Sequence, residues 1–269
     1  MHVFVVPASP KTGQATIRAL LDDASQPYVT GVYRDLERVP AEFRDHARFT
    51  AIKGDVANVG TLNFAGADAI VTITPPLYSE ANPTARAREM AANVKYAIGQ
   101  AGDSVRRLVY VSSVGAHLEH GTGEIKTNYE AEQVLIGAAP EVVFVRCAYF
   151  MENWATALGT LKAKPPFFYS AVRPDDFHIP MGPRSYSARD VQRAFEAVMG
   201  RQVELRVVED EQLEGFFAQA FKEPTAGMFV ETTRSFLPGG IMAADSYEGL
   251  KVQRGTDTLD EAVRGLWAD

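Results

Sequence analysis

The residues best placed by type and spacing to do chemistry come early. Val5-Val6-Pro7-Ala8-Ser9-Pro10-Lys11-Thr12-Gly13 runs from an apolar strand into an amphipathic helix. Such a turn binds a dinucleotide when glycines stand at three places. The first makes the tight turn, the second lets backbone approach the pyrophosphate, and the third lets helix pack on strand. In the spacing G-x-x-G-x-x-G those places are residues 7, 10 and 13, and only Gly13 is glycine; Pro7 and Pro10 fill the others. Proline removes an N–H and holds φ at about −65°. The ring of Pro10 is also expected to fill space that a diphosphate needs. Ser9, Lys11 and Thr12 offer hydroxyls and a cation instead, beside the positive end of a helix. The competing reading is a plain turn that binds no nucleotide.

Three further sites lie at the ends of strands. Arg34 closes the second strand, where an acidic residue would bind a ribose 2′-hydroxyl and an arginine suits a 2′-phosphate. Arg34 therefore tilts the expected cofactor toward NADP(H). Asp55, after Gly54, closes the third strand, where a side chain reaches an adenine edge. Thr74 closes the fourth, above the place of a ribose. All lie where parallel sheets bind ligands, at the carboxyl ends of strands.

The elements that must position these residues are legible as apolar runs alternating with amphipathic stretches. Strands are expected at Val3–Ala8, Tyr28–Arg34, Phe49–Gly54, Ala69–Thr74, Arg107–Ser112 and Val142–Ala148. Helices are expected at Gly13–Asp23, Thr84–Ala101 and Asn128–Ala138. Strands this apolar are covered on both faces. The order predicts an α/β fold: a Rossmann-like doubly wound parallel sheet with right-handed crossovers. After Ala148 the alternation loosens. Pro165-Pro166, Pro174, Pro180 and Pro183 punctuate an irregular stretch. Helices at Ser187–Met199, capped by Ser187 or Ser185, and at Gln212–Phe221 flank a strand at Val203–Val208. The division expected is a dinucleotide-binding domain over 1–150 and a smaller substrate-covering region over 151–269, not independent of it.

Composition narrows the partners. The 269 residues carry 27 Lys+Arg against 34 Asp+Glu, a net charge of −7, with no basic block, which argues against nucleic acid or an anionic membrane. No apolar run reaches the ~18 residues of a membrane span. Cys147 is the one cysteine, so no internal disulfide forms and a reducing compartment is expected. The chain opens directly on a strand, so no signal peptide and a cytoplasmic location are expected. No paired His or Cys spacing indicates a metal, and no G-x-S-x-G elbow indicates a serine hydrolase.

Taken together, the pattern resembles the NmrA-like branch of the atypical short-chain dehydrogenase/reductase superfamily. The likeness rests on the turn ending in Gly13, Val32-Tyr33-Arg34, Gly54-Asp55-Val56, Asn93, Leu108–Ser113, Tyr129–Leu135 with Glu132, Val145-Arg146, Phe150–Trp154 and Ser187–Val191. It implies an NADP(H)-binding Rossmann domain and a substrate pocket under a smaller C-terminal region. Members include reductases of quinones and aromatic compounds, tailoring enzymes, and redox-sensing regulators with little catalysis. Two departures stand out. One is the Pro7/Pro10 turn. The other is the catalytic helix, where the superfamily uses Tyr-x-x-x-Lys. Gln133 follows Tyr129 by four residues, Asn128 stands where many NmrA-like proteins carry lysine, and Lys126 would have to reach from the preceding loop.

Within that frame Ser113, at the end of the fifth strand with Ser112, is expected to hydrogen-bond a substrate carbonyl, or to cap the next turn. Tyr129 is a candidate proton donor, and Lys126 the cation that would make its phenol acidic enough. Asn153 is a candidate for the nicotinamide amide or the pocket wall. His117, His120 and His178 are loop histidines able to act near neutrality. Asp190 is expected to orient a helix. Tyr149, Phe150, Trp154, Phe167, Phe168 and Tyr169 divide between core and a flat apolar pocket for an aromatic, quinone or polyketide-like substrate. Three functions stay open: an NADP(H)-dependent oxidoreductase, an NADP(H)-sensing regulator, and a non-redox isomerase or cyclase using the pocket without nucleotide. The sequence leaves oligomeric state undetermined.

Overall fold

A computed structural model describes residues 1–174, 179–243 and 252–268. They divide into two compact units, one of 1–119 with 125–146, the other of 120–124 with 147–269.

The first unit grows from its apolar strands. β1 (His2–Val6), β2 (Tyr28–Tyr33), β3 (Phe49–Lys53), β4 (Ala69–Ile73), β5 (Arg107–Ser113) and β6 (Glu141–Cys147) form one sheet in the order β3-β2-β1-β4-β5-β6. Val3 pairs with Val29 on one side and with Ala69 on the other, both in parallel register. The strand order therefore reverses between β1 and β4, and such a reversal opens a crevice at the strands' carboxyl ends. This is the Rossmann-like α/β architecture expected from the alternation.

Helices cover both faces. α1 (Lys11–Asp22) buries Gly13, Ile17 and Leu21, four apart, against Val3, Val5 and Val29. Burying each large side chain contributes about 1.5–3 kcal/mol. The short α2 (Ala41–Arg44) seats Phe43 beside Phe49 on this face. α3 (Pro83–Gln100) starts with Pro83 in its first turn and Asn82 as cap, accepting from the Ala85 N–H at 3.0 Å. Its buried face, Ala87, Met90, Ala91, Val94, Ala97 and Ile98, packs with Phe4, Ile70, Leu108 and Tyr110. α4 (Lys126–Leu135) adds Ala131 and Leu135 to that core. It begins two residues earlier and ends three earlier than expected. Ile136 turns extended and Gly137 sits at φ +67°, which stops the helix.

In the second unit α5 (Leu158–Leu161), β7 (Phe167–Ser170), β8 (Ile179–Met181), β9 (Arg184–Tyr186), α6 (Ala188–Met199), β10 (Glu204–Val207), α7 (Leu213–Ala218), α8 (Thr225–Phe236) and α9 (Leu259–Ala268) come in order. β7 pairs with β10 in parallel, and β8 with β9 as a hairpin. Trp154, Leu161, Phe168, Val191, Phe195 and Val263 centre the core. Ser187 caps α6 and Asp190 closes the capping box, so Asp190 orients a helix as expected. The Pro-rich stretch is less irregular than its sequence reads, because β7, β8 and β9 are too short to show a period. α8 and α9 also went unpredicted, and α7 is shorter than Gln212–Phe221.

Candidate functional site

The predicted site residues of the first unit gather along one edge of the sheet. Ser9, Lys11, Thr12 and Gly13 form the β1–α1 turn, Arg34 follows β2, Asp55 lies just past β3, Thr74 follows β4 and Ser113 ends β5. Lys126 and Tyr129 occupy the first turn of α4. Asn153 belongs to the second unit, exposed in the 3-10 turn Met151–Ala157.

Both prolines lie outside the helix that follows them. Pro10 is the N-cap of α1, with φ −61° and ψ 154°, so the helix starts after it. The N–H groups of Lys11, Thr12 and Gly13 remain without intrahelical acceptors, as in any first turn. Pro7 follows the last residue of β1, and the ladder resumes through the Ala8 N–H, which donates to the Val32 carbonyl at 2.9 Å. Gln14 secures the turn: its N–H donates to Pro10 O at 3.0 Å and its Nε2 to Ser9 O at 2.8 Å. A Cβ on Gly13 would stand 2.7 Å from Pro7 O and 2.8 Å from Ala8 O, so this glycine performs the close helix–strand packing expected of it. No side-chain hydrogen bond engages the Ser9 or Thr12 hydroxyl or the Lys11 ammonium among the described residues.

Beyond the turn, Arg34 is exposed and carries no ion pair among the described residues. Lys53, the register partner of Tyr33, adds a second cation at the ends of β2 and β3. Tyr33 itself is buried, and desolvation pushes its phenol up to about 12. Gly54 lets β3 leave the sheet, since a Cβ there would stand 2.7 Å from Val32 Cγ1. Asp55 Oδ1 accepts from the Ala57 N–H at 2.9 Å, and Asn93 Nδ2 donates to Val56 O at 2.9 Å, pinning this turn to α3.

Two part-buried polar networks lie behind this edge, and sequence reasoning gave neither its partners. In one, Tyr110 Oη accepts from Asn128 Nδ2 at 3.0 Å and shares a 2.8 Å hydrogen bond with Thr74 Oγ1. Asn128, in the place of a family lysine, is thereby tied to β5. In the other, Glu132 is 1% exposed. Its Oε1 accepts from Ser112 Oγ at 2.6 Å and Arg146 Nε at 2.9 Å, and its Oε2 from Arg146 Nη2 at 2.6 Å. The carboxylate holds the guanidinium above its ordinary range. Period two on β5 puts Leu108, Tyr110 and Ser112 on one face, and positions 128, 132 and 135 share a face of α4. That arithmetic was the available signal.

The remaining candidates divide. Ser113 Oγ donates to Val114 O at 3.1 Å, which matches the turn-capping alternative. Tyr129 and Lys126 are half-buried and make no hydrogen bond among the described residues. His117 and His120 are exposed, and His178, with Asp175 and Asp176, lies outside the described residues. Of the aromatic run, Trp154 and Phe168 are core, edge to face at 5.8 Å. Tyr149, Phe150 and Tyr169 are exposed, and Phe167 lies 3.6 Å beneath the Arg206 guanidinium. A cavity of about 560 Å³ in the second unit is walled instead by the pairs Arg173–Glu209 and Arg234–Asp210. No group of three or more metal-ligating side chains occurs among the described residues, and none of their helices is long and apolar enough to cross a membrane.

A family model described as NAD(P)H-binding matches residues 8–176, more than half of the chain. The chain belongs to the NAD(P)H-binding family. It is of the NmrA-like, atypical short-chain dehydrogenase/reductase type that the motifs indicated. A comparison with curated proteins finds no match. Among solved structures, the Citrobacter sp. triphenylmethane reductase complexed with NADP(H) is similar over 99% of this chain and 100% of that one, at 16% identity and TM-score 0.74. An NADPH-dependent quinone oxidoreductase from Escherichia coli complexed with NADPH covers the same shares at 16% identity and TM-score 0.71. A nucleoside-diphosphate-sugar epimerase from Staphylococcus aureus covers 98% of this chain and 100% of its own, at 15% identity and TM-score 0.69. At such identities the likeness is one of fold. For this family member, the first-turn N–H groups, the Ser9 and Thr12 hydroxyls and the Lys11 and Arg34 cations make a donor set that fits a dinucleotide's phosphates.

Proposed function

We propose that this chain is an NADP(H)-dependent oxidoreductase acting on a small apolar aromatic or quinone-type carbonyl compound. The observation that carries the reading is the open donor set of the β1–α1 turn together with Arg34 at the end of β2, which has no ion pair among the described residues. Ser9, Lys11, Thr12 and Gly13 would hold the pyrophosphate, Arg34 the 2′-phosphate, Asp55 the adenine side and Thr74 a ribose hydroxyl. The bound coenzyme supplies a hydride. Ser113 and Tyr129 would orient the substrate oxygen, with Lys126 as the nearby cation. The similarity to a quinone oxidoreductase and a dye reductase supports the substrate class, and the lone Cys147 suits a reducing, cytoplasmic setting.

The test is thermal stability with NADPH against NADH, followed by turnover. At 100 times its Kd, NADPH should add about 2.7 kcal/mol of stability. Arg34→Ala should weaken NADPH by about 10- to 100-fold, the worth of a charge-assisted hydrogen bond, and leave NADH unchanged. No stabilisation by either coenzyme would overturn the reading. Tight NADPH binding without turnover of any quinone would favour the sensing regulator.

A further inference from the structure

One hydroxyl at the ligand edge is held from behind. Thr74, half-buried, follows β4, the strand that flanks β1 where the order reverses. Tyr110 on β5 is the register partner of Thr72, so period two places Thr74 on the same face as that ring. Tyr110 is 1% exposed, and its ring meets Phe144 edge to face at 6.3 Å. Its phenol oxygen lies 2.8 Å from Thr74 Oγ1. From α4, Asn128 turns Nδ2 to the same oxygen at 3.0 Å. All three residues belong to the first unit.

Proton counting gives this chain a direction. The Asn128 amino group only donates, so Oη accepts from it. The phenol has one proton and almost no contact with water, and Thr74 Oγ1 stands in place to accept that proton. A threonine oxygen that accepts keeps its own proton for another partner. Thr74 makes no second hydrogen bond among the described residues, so that proton has no protein acceptor among them. A carboxylate at position 128 would reverse the chain. Tyr110 would then donate to it and accept from Thr74, and Thr74 would have only lone pairs left to offer.

We propose that Asn128 and Tyr110 are positioning residues that fix the Thr74 hydroxyl as a hydrogen-bond donor to a ribose oxygen of the coenzyme. This rests on the coenzyme placement proposed above, and adds the direction of the bond and the residues that set it. The ribose hydroxyl accepts from Thr74 and keeps its own proton for a second partner. Reversing the chain makes the ribose donate to Thr74 instead, with one hydrogen bond fewer in the complex. The effect therefore falls on coenzyme affinity.

The test is a double-mutant cycle read by calorimetric titration of NADPH into the full chain, with thermal melts to confirm that each variant folds. Thr74→Val should weaken NADPH about fivefold, the worth of one neutral hydrogen bond, and Asn128→Asp should do the same. Added to Thr74→Val, the aspartate should cost at most about twofold more. Thr74→Ser should bind within about twofold of the wild-type chain, and there Asn128→Asp should again cost about fivefold. Should Asn128→Asp not fold, Tyr110→Phe takes its place, costing about threefold for ordering the freed hydroxyl, and nothing in the valine background. Equal losses with and without the Thr74 hydroxyl would mean that the carboxylate acts by repulsion or by loosening α4. No loss at all would mean that the direction of the bond is immaterial. Either result overturns the proposal. If the wild-type chain binds no NADPH, the coenzyme reading falls and the proposal with it. If it binds NADPH and Thr74→Val binds equally tightly, the proposal alone falls.

Discussion

Glu132 illustrates how much one buried carboxylate organises. It takes three hydrogen bonds, from Ser112 and from both ends of the Arg146 fork, while almost wholly out of water. A buried ion stays charged only when its partners replace the lost hydration. Removing Arg146 strands that charge. Arg146→Ala should destabilise the chain by about 3 kcal/mol, the low end for breaking a buried pair, because a third of the Arg146 side chain is exposed. Urea unfolding checks this, and a loss under about 1 kcal/mol would class the pair with ordinary surface bridges. Arg146→Lys should recover only part, since an ammonium cannot make the two-pronged contact. At this scale the close packing at Gly13 was legible from residue type and position. Ser112, Tyr110 and Asn128 were not, because hydrogen-bond partners depend on which strand and helix faces meet.

At the scale of elements, the β1–α1 unit turns on one missing methyl group. The contacts Gly13 would make as alanine are with backbone carbonyl oxygens, which cannot swing aside as a flexible side chain does. Gly13→Ala should push α1 off β1 and cost about 1–3 kcal/mol. Because Lys11, Thr12 and Gly13 present their N–H groups from that same turn, NADPH affinity should fall as well. Calorimetric titration beside thermal melts separates the two effects, and an alanine variant with unaltered affinity would show that this turn does not carry the phosphates. The first-unit strands and helices were legible because long apolar periods leave few alternatives. The second-unit strands of three and four residues carry no such period, and α8 interleaves Thr and Gly with its apolar side.

For the whole molecule, the three chain crossings between units, at 119/120, 124/125 and 146/147, mean that no single cut separates them. The proposed phosphate contacts nevertheless all belong to the first unit. Saturating NADPH should therefore slow amide exchange across residues 9–13 and near Arg34, and leave α6 and α9 at their apo rates. Protection confined to the second unit would place the coenzyme elsewhere. The amino-acid pattern by itself determined that strands and helices alternate and that the sheet is parallel and doubly wound, because burial on both faces imposes continuous apolar runs and crossover helices. Only the tertiary structure decided that Pro10 stands at the N-cap of α1, that Asn128 bonds Tyr110, and that residues 120–124 pack with α8. Each of these depends on atoms distant in sequence meeting within a few ångströms, and local periodicity carries no record of such meetings.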